Sequence, residues 1–569
     1  MMQIGVRYMG RGKRIIWIMT FLFIAITTIF GRNEIGMRNF PFSVIVESDG
    51  MAEELKCVKL AGEYYVFLPS YAENKARICS NRVYDITIEG QRVQENQLCE
   101  DFPVHTKLEL EYRSLKNQGT ETVTFVPSGN VPTMYIDVPS GNMNHIHKEK
   151  GNAEAAAVRL YTKDGTMVFS GSAESVRGRG NATWWAEKKS YSVKLFQEAD
   201  LLGMGKGQNW ILLANAYDAS HIRNKVAYDM AEEGMLFAPD TAWVDLYLNG
   251  EYAGVYLLSE RNEIHPERVQ IPLEQGFLVS LELPSRLKSQ NYPFVSTEKG
   301  LALRIHHTTM DPDQLQNLWQ SVENAILSED GVDPVSGKCW DELIDLDSWA
   351  HKYLREELCA NCDAGSISQY FYCDLSEPVP KIYAGPIWDF DNSMKGDKWV
   401  ASNPRSFLAN RAHFFSAEDA PLFHGLYQKE AFYNRVVALF ASLYEPLFAE
   451  LFEGRLGDYA ETVSLAAGAD RIRWNTEDAA EETEEIEVFL RERLACFHDL
   501  WINKTEYCTV EITRDYTLWG SWLIPKGQYI PELPHEENGQ WCYEATGKTL
   551  DITKPVLEDF RIIWVPNAS

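Results

Sequence analysis

The stretch "GPIWDFDNSM", Gly385 to Met394, follows an apolar, strand-like run and carries two carboxylates, one on each side of a phenylalanine. These acids are Asp389 and Asp391. Charged groups at the end of a buried strand are costly to hold without a partner. We therefore expect a polar site at this point of the chain, in which other groups compensate the two charges.

The bulk composition describes a folded, acidic, multidomain protein. With 569 residues the chain is too long for one compact core, so two to four domains are expected. Sixteen Trp and 27 Tyr argue for packed domains rather than disorder. The 54 basic residues against 82 acids give a net charge of −28, which repels polyphosphate backbones. Nucleic acid is therefore not expected as a partner, whereas a small phosphate ligand needs only a local cation or a metal ion.

The N-terminal residues 1–31 have the pattern of a targeting segment. Four basic residues precede the uncharged run Ile15–Phe30; they are Arg7, Arg11, Lys13 and Arg14. Basic residues ahead of an apolar run are typical of a signal peptide or an uncleaved signal anchor, and they disfavour the alternative of a buried core helix. This pattern predicts an extracytoplasmic protein, membrane-anchored or secreted, with the membrane as a partner of the N-terminal segment.

The hydrophobic pattern predicts a multidomain α+β fold. Residues 40–130 alternate apolar and polar over short runs, which predicts a β-sandwich-like module. Residues 131–503 begin with strands and hairpins and continue as mostly helical sequence. Residues 504–569 return to short strands and predict a small C-terminal β tail. Ten cysteines are spread along the chain; in an exported protein some can pair, but spacing does not give the pairing.

One C-x-x-C is formed by Cys359 and Cys362. A redox or metal role is one interpretation. The motif lacks a second pair and a thioredoxin-like context, so incidental cysteines at a helix end are the favoured interpretation.

The first stretch with chemical potential is "VRGRGNATWWAEKKSYSVKL", Val176 to Leu195. Gly178 and Gly180 permit turn angles that are closed to other residues. A glycine-containing turn followed by a strand lysine can hold phosphates through backbone N–H groups and the ammonium. A glycine turn beside a solvated lysine pair is the simpler alternative, and on spacing alone it is favoured.

A second set of residues comes from "NCDAGSISQYFYCD" together with the opening stretch. Asp363 begins a loop after a predicted helix, and Asp389 follows after enough chain for a hairpin that returns to the same place. Phosphoryl transfer uses such a layout, with one acid for the hydroxyl proton and another for Mg²⁺. Paired carboxylates also suit glycoside hydrolysis, although that hypothesis leaves the lysines unexplained. Caps and turn residues are the structural alternative.

Four stretches in this order carry a family resemblance: "RGRGNATWW…KKSYSVKL", "WILLANAYDASHIRNKVAYDMA", "VDLYLNGEYAGVYLLSE" and "GPIWDFD". Together they resemble the spore coat protein H-like (CotH) kinase family. The resemblance implies a diverged, two-lobed protein-kinase-like fold in residues 131–503. It also implies transfer of phosphate from ATP to Ser or Thr of a protein substrate, with Mg²⁺ or Mn²⁺.

Carried over by position, the resemblance makes Lys188 or Lys189 the phosphate-binding lysine, and the choice between them stays open. It places Arg179 and Asn181 in the turn that approaches ATP. Glu260, which ends the "YLLSE" strand, is expected to contact nucleotide where the lobes meet; a surface acid at a strand end is its alternative.

The resemblance makes Asp363 the catalytic-loop acid and Asp389 the metal-binding acid. Family members usually carry Asn where this chain has Ser368 and Gln369, and Gln369 still offers an amide oxygen to a metal ion. Asp391 either assists the metal or caps the next turn.

Arg223 and Asn224 match a family signature on a predicted helix, but the sequence gives them no role. It also does not identify an acidic partner for the lysine. The sequence is therefore consistent with two functions: an exported kinase-like enzyme, and a cell-surface adhesion or structural protein that keeps the fold without catalysis.

Overall fold

A computed structural model describes most of the chain after the N-terminal segment. The described residues are 42–72, 75–80, 84–94, 97–99, 103–115, 118–365, 367–396, 403–407, 422–514, 517–531, 533 and 539–566. The predicted targeting segment 1–31 lies outside them. Among the described residues, no helix combines the length and the apolar character needed to cross a membrane.

The chain divides into two compact units. The first comprises Met1–Glu47, Ala52–Val66 and Asn74–Phe125, and the second comprises Ser48–Met51, Phe67–Glu73 and Val126–Ser569. The domain boundaries expected from the sequence, including a separate β tail, stay predictions.

The first unit is built mainly from two sheets, as the short alternating runs predict. The strands are β1 (Phe42–Ser48), β2 (Met51–Leu55), β3 (Val58–Leu60), β4 (Glu63–Leu68), β5 (Ala76–Ser80), β6 (Asp85–Ile88), β7 (Gln91–Arg92), β8 (Gln97–Cys99), β9 (Lys107–Arg113) and β10 (Gln118–Pro127). One sheet has the order β2-β1-β5-β8 and the other β3-β4-β10-β9-β6-β7. In β9 the side chains of Leu108 and Leu110 are buried between exposed neighbours, which is the period-2 pattern of a strand with one buried face.

The second unit begins with a closed seven-stranded barrel of order β11-β12-β13-β14-β15-β17-β16. Its elements are β11 (Thr133–Asp137), α1 (Asn144–Lys148), β12 (Ala153–Tyr161), β13 (Met167–Arg179), β14 (Ser190–Asp200), β15 (Lys206–Leu213), α2 (Arg223–Glu232), β16 (Thr241–Leu248) and β17 (Glu251–Glu260). Parallel pairing of β11 with β16 closes the barrel. Asn249 and Gly250 join β16 to β17 with φ angles of 51° and 81°, so the predicted two-residue turn is confirmed.

A five-stranded sheet of order β19-β20-β18-β21-β22 follows the barrel. This region contains β18 (Gly276–Leu281), α3 (Pro284–Ser289), β19 (Phe294–Ser296), β20 (Ala302–Thr308), α4 (Pro312–Leu327), α5 (Trp340–Leu343), α6 (Leu346–Leu358), β21 (Gln369–Asp374) and β22 (Tyr383–Ala384). Strands β21 and β22 pair antiparallel, with Phe371 opposite Ala384. The chain therefore leaves α6 and returns to the end of that helix through a hairpin.

Helices and a small sheet complete the second unit. The helices are α7 (Leu422–Tyr427), α8 (Glu430–Leu439), α9 (Glu445–Glu450), α10 (Leu456–Trp474) and α11 (Ala479–Trp501), with π-helical turns at Phe440–Tyr444 and Leu451–Arg455. The strands are β23 (Tyr507–Arg514), β24 (Thr517–Pro525), β25 (Gly539–Tyr543) and β26 (Phe560–Pro566), in the order β24-β23-β26-β25. The mixed α+β class expected from the sequence is confirmed.

The largest hydrophobic core lies where α2, the five-stranded sheet and the later helices pack together. Tyr228, Phe277, Trp349 and Phe497 are among its fully buried side chains. Burial of aromatic residues on this scale supplies a large part of the folding free energy. The core fixes α2 against α6 and the β21–β22 hairpin, the elements that carry the acids singled out above.

Candidate active site

The β21–β22 hairpin brings the loop after α6 and the loop after β22 to the same place. The Ser368 hydroxyl donates a hydrogen bond to Asp389 Oδ2 at 3.0 Å. The Asn361 side-chain amide donates to the Asp389 carbonyl oxygen at 3.4 Å, and Asn361 Oδ1 accepts from the Asp363 N–H at 3.1 Å. Asp363 and Asp389 are thus held by a shared neighbour, as the hairpin hypothesis requires.

Asp391 lies in the field of these acids. Burial raises the pKa of Asp391 well above its usual range, and the charges of Asp389, Asp363 and Asp218 raise it further, in that order, against the opposing charge of Arg223. Asp363 and Asp389 share the neighbour Asn361, and Asp391 follows Asp389 by two residues. We call these three residues the acid cluster. Carboxylates whose charges act on one another in this way favour a bound cation, because each charge makes the others more costly to ionise.

Two residues of the site have backbone angles that non-glycine residues rarely adopt. Ser368 has a φ of 57° and Asp389 a φ of 72°. Asp tolerates the left-handed region better than most residues, whereas Ser does not share this tolerance. Strained residues of this kind cluster at functional sites, where surrounding contacts hold them. The hydrogen bond between Ser368 and Asp389 joins the two strained positions.

Helix α2 holds the segment that carries Asp389 and Asp391 by its backbone. The Phe390 N–H donates to Asn224 Oδ1 at 2.8 Å, and the Asp389 N–H donates to the Tyr228 hydroxyl at 3.2 Å. Arg223 donates to the carbonyl oxygens of Met394 at 3.4 Å and Lys395 at 3.2 Å.

The buried Arg223 guanidinium also forms ion pairs with Asp218 at 2.8 Å and Glu482 at 2.6 Å. The family signature on this helix thus has a structural meaning. Arg223 and Asn224 position the acid-bearing segment 389–395 without contacting its carboxylates.

A cleft of about 1530 Å³ borders the acid cluster through Trp388, the residue before Asp389. Nine basic residues and two Glu line this cleft, in a chain with 54 Lys and Arg against 82 acids. The basic residues are Lys148, Lys150, Arg177, Arg179, Lys189, Lys194, Arg261, Arg286 and Arg304.

Of these nine cations, only Lys194 with Glu174 and Arg286 with Glu282 form a salt bridge within the described residues. The other seven are therefore without a carboxylate partner there. Cations gathered in one cleft repel one another, so the cleft is suited to an anionic ligand.

The charges of three of the cations act on Tyr370, which also lines the cleft. Burial raises the pKa of Tyr370, and the charges of Arg304, Arg179 and Arg261 oppose this shift. The guanidinium of Arg179 lies 5.0 Å from the centre of the Trp388 ring. Burial lowers the pKa of Arg179, while the charges of Tyr370 and Asp389 counteract it. We call Arg179, Arg261 and Arg304 the inner cations, because their charges reach Tyr370.

Three more cations of the cleft, besides Lys189, have no carboxylate partner within the described residues. Lys148 and Arg177 are exposed, and Lys150 is half-buried. Burial lowers the pKa of Lys150, and repulsion from Arg179, Arg286 and Arg304 lowers it further. We call Lys148, Lys150 and Arg177 the rim cations.

The structure does not place Lys188 in the cleft. Its ammonium donates to Asp470 Oδ1 at 2.5 Å and to the Val255 carbonyl oxygen at 2.7 Å, and both members of the ion pair are buried, with 5% and 0% of the side chains exposed. Burial lowers the pKa of Lys188, and the Asp470 charge opposes this. The acidic partner that the sequence did not reveal is thus Asp470, on α10, and the ion pair ties α10 to the barrel.

Lys189, in contrast, does line the cleft. Its ammonium donates to the carbonyl oxygens of Trp184 at 2.8 Å and Ala186 at 3.0 Å and so closes the turn before β14. Both lysines precede the strand, which begins at Ser190 rather than at Lys188.

Asn181 lies exposed at the edge of the cleft, where its side-chain oxygen accepts from Lys150 Nζ at 3.1 Å and from Gln290 at 3.2 Å. Arg179, Asn181 and Lys189 of the predicted phosphate-binding turn therefore line the cleft, and Asn181 also links the turn to neighbouring elements.

Gln369 does not reach the acid cluster in this structure. Its side chain is fully buried, and its amide N–H donates to the Ile367 carbonyl oxygen at 3.1 Å. Ser368 precedes β21 and has a left-handed φ of 57°, and its hydroxyl is the group that contacts Asp389. The metal-ligand role expected for Gln369 is thus not supported, and Ser368 is the residue of this pair that contacts the acids.

Glu260 is buried beside the barrel rather than exposed to the cleft. Its carboxylate accepts from the Asp240 N–H at 3.0 Å and pairs with Arg268 at 3.3 Å. Burial raises the pKa of Glu260 to about 7. The adjacent residues Arg261 and Asn262 line the cleft instead.

This environment predicts a pH dependence of stability. The ordinary pKa of a Glu side chain is 4.5. Between this pH and about pH 7, Glu260 keeps its proton in the folded protein, whereas the unfolded chain has released it. Stability contributed by the protonated form is therefore lost as pH rises through this window. We expect the Glu260→Gln substitution to reduce the change in the free energy of unfolding between pH 5 and pH 8 by on the order of 2 kcal/mol. Urea unfolding at several pH values measures this change. If the free energy of unfolding varied with pH equally in the parent and the variant, the raised pKa of Glu260 would be contradicted.

The acids present fit a divalent cation that is shared with a phosphate ligand. Across the described residues, no group of three or more His, Cys, Asp or Glu side chains has an arrangement that could hold a metal ion. Mg²⁺ is usually held by one or two carboxylates together with waters and substrate phosphates, so Asp389 and Asp391 beside the inner cations suit it.

The C-x-x-C residues have no comparable role. Cys359 and Cys362 are both buried, and burial raises the pKa of Cys359 to about 12, which makes it a poor nucleophile. The expectation of incidental cysteines at the end of a helix agrees with this placement.

A cleft lined with cations beside clustered carboxylates is what a phosphate-handling protein needs, and the sequence comparison agrees. The model of the family described as CotH kinase protein matches residues 176–497. The match covers more than half of the 569 residues, and the chain belongs to the CotH kinase family. Membership of this family indicates a kinase-like function. A comparison with curated proteins gives no match.

Several site residues were missed by sequence reasoning. Arg261 follows β17, Arg304 lies in β20 and Lys150 precedes β12, so no local motif unites them. Only the tertiary fold brings them to one cleft. The sequence did contain a signal for Ser368, because this residue directly precedes Gln369, which the family resemblance singled out.

Proposed function

We propose that this protein is an exported kinase-like enzyme that transfers the γ-phosphoryl group of ATP to a Ser or Thr hydroxyl of a protein substrate. The observation that carries the proposal is that the acid cluster adjoins Trp388, whose ring lies 5.0 Å from the Arg179 guanidinium in a cleft that Arg261 and Arg304 also line. In this proposal the protein is a diverged two-lobed kinase. The barrel forms one wall of the cleft, and the five-stranded sheet with its helices forms the other wall. The basic, apolar N-terminal pattern supports export and anchoring or secretion.

Each group has a defined task in this proposal. The inner cations bind and orient the triphosphate, because guanidinium groups match phosphate oxygens in charge and shape. Asp389, with Asp391, holds Mg²⁺ or Mn²⁺, which when bound neutralises charge that develops on the phosphates. Asp363 orients the acceptor hydroxyl and accepts its proton. The bond from the hydroxyl oxygen to the γ-phosphorus forms as the bond to the β,γ-bridging oxygen breaks, and ADP leaves.

The positioning contacts explain how the acids are kept in place. Asn224 and Tyr228 fix the backbone at Phe390 and Asp389, and Ser368 fixes the Asp389 carboxylate. Phosphoryl transfer depends mainly on positioning and electrostatics, so such contacts matter as much as the charges.

The experiment that tests the proposal measures nucleotide binding and transfer together. ATP with Mg²⁺ or Mn²⁺ at one hundred times its dissociation constant is expected to stabilise the protein by about 2.7 kcal/mol. Incubation with γ-labelled ATP and a mixed Ser/Thr protein substrate is expected to label the substrate. A protein with no thermal shift for any nucleotide–metal pair and no labelling would instead be assigned the adhesion or structural role.

A further inference from the structure

The cleft holds more positive charge than a nucleotide needs. A metal-bound ATP carries a net charge of about −2 near neutral pH, since Mg²⁺ offsets half of the triphosphate charge. The three inner cations already exceed this charge, and Arg179 among them lies over the ring of Trp388, the residue before Asp389. The rim cations Lys148, Lys150 and Arg177 line the same cleft and form no salt bridge within the described residues. Their charge is therefore available to a second anionic ligand.

The rim is also exposed and partly aromatic. The side chains of Lys148 and Arg177 form no hydrogen bond with any described residue and face solvent. Trp185, which lines the cleft, has 83% of its surface exposed. Exposed large aromatic residues with cations beside them are typical of surfaces that bind another protein, whereas a simple polyphosphate needs only the charges.

We propose that the rim cations and Trp185 form the docking surface for the acceptor, and that this acceptor is an acidic protein segment in which Asp or Glu residues flank the Ser or Thr. This inference rests on the proposed function, because it assigns the substrate class of that same cleft. The inner cations bind the nucleotide phosphates, and the rim cations bind carboxylates of the acceptor. Such contacts act mainly on substrate affinity and depend on salt.

The test uses two peptides of equal length, one with Ser between Asp and Glu residues and one with Ser between Lys residues. Each is titrated into the intact protein with a non-hydrolysable ATP analogue and Mg²⁺, and binding is followed by fluorescence anisotropy. We expect the acidic peptide to bind about tenfold more tightly or better. The double variant Lys148→Glu/Arg177→Glu is expected to lose this preference while keeping the thermal shift with nucleotide.

A matched double variant, Lys299→Glu/Lys338→Glu, makes the same change in net charge at exposed lysines that do not line the cleft. It is expected to bind the acidic peptide as the parent does. Equal binding of the two peptides, or unchanged binding by the rim variant, would overturn the proposal. Inorganic polyphosphate that binds more than about tenfold tighter than the acidic peptide would also overturn it in favour of a non-protein polyanion.

Transfer to both peptides, measured in parallel with γ-labelled ATP, separates the two proposals. Labelling of the basic peptide in preference to the acidic one keeps the kinase function and rejects the acidic acceptor. Binding of the acidic peptide at the rim without labelling of either peptide rejects the kinase function and keeps the docking surface.

Discussion

Asp389→Asn is expected to reduce phosphoryl transfer by about 10³-fold or more. The substitution keeps the size and the ability to accept from Ser368 but removes the charge that holds the metal ion beside the triphosphate. The thermal midpoint without ligand is expected to change little, because the Asp389 backbone contacts to Tyr228 and Asn361 remain. The measurement is the initial rate of labelling with γ-labelled ATP at saturating Mg²⁺.

Asp374→Asn is the matched control for this substitution. Asp374 ends β21, close in sequence to the site, and its carboxylate accepts from Ser376 rather than facing the acid cluster. The control is expected to keep the parent rate. If Asp389→Asn were as active as the Asp374 variant, the metal-binding role of Asp389 would be wrong.

Lys188→Met is expected to lower the free energy of unfolding by about 3–5 kcal/mol, because it leaves the buried Asp470 carboxylate without its partner. Asp470 Oδ1 would keep only the Val255 N–H, at 2.9 Å, and the other oxygen lies 3.5 Å from His221. Chemical denaturation of parent and variant measures the loss. The folded variant is expected to keep the thermal shift with nucleotide, since Lys188 does not line the cleft.

The double variant Lys188→Met/Asp470→Asn supplies the control, since it removes both charges and keeps an acceptor for the Val255 N–H. We expect it to recover much of the lost stability. The opposite pattern, with little loss of stability and no response to nucleotide in Lys188→Met, would identify Lys188 as a phosphate ligand and contradict the structural role.

Local sequence patterns predicted the parts of this fold that depend on neighbouring residues. The Asn249–Gly250 turn follows from backbone preference, and the hairpin between Asp363 and Asp389 follows from turn signals between apolar runs. The α+β class follows from the change of hydrophobic period along the chain. Each of these features is decided within a few residues.

The features that sequence could not predict depend on contacts between distant segments. Nothing near Lys188 indicates that its partner is Asp470, on a helix far along the chain. The difference between Ser368 and Gln369 depends on the backbone, because Ser368 has a left-handed φ just before β21 and Gln369 begins the strand. Arg261 follows β17 and Arg304 lies in β20. The two residues belong to one site only because the fold places both of them in the same cleft.

Arg223 and Asn224 show a third kind of limit. Their side chains act on backbone groups at Phe390, Met394 and Lys395, so no chemical pairing of side chains reveals the contact in the sequence. A signature that carries no catalytic group can therefore serve catalysis by holding the segment that does.

The central claim is that one cleft holds a nucleotide by the inner cations and a divalent cation by the acid cluster. A crystal of the protein grown with Mn²⁺ and a non-hydrolysable ATP analogue tests it most directly through the anomalous signal of manganese. The account predicts an anomalous peak in direct contact with the Asp389 carboxylate and phosphate oxygens that face Arg179, Arg261 and Arg304. A nucleotide bound outside this cleft, or a manganese ion without contact to Asp389, would contradict it.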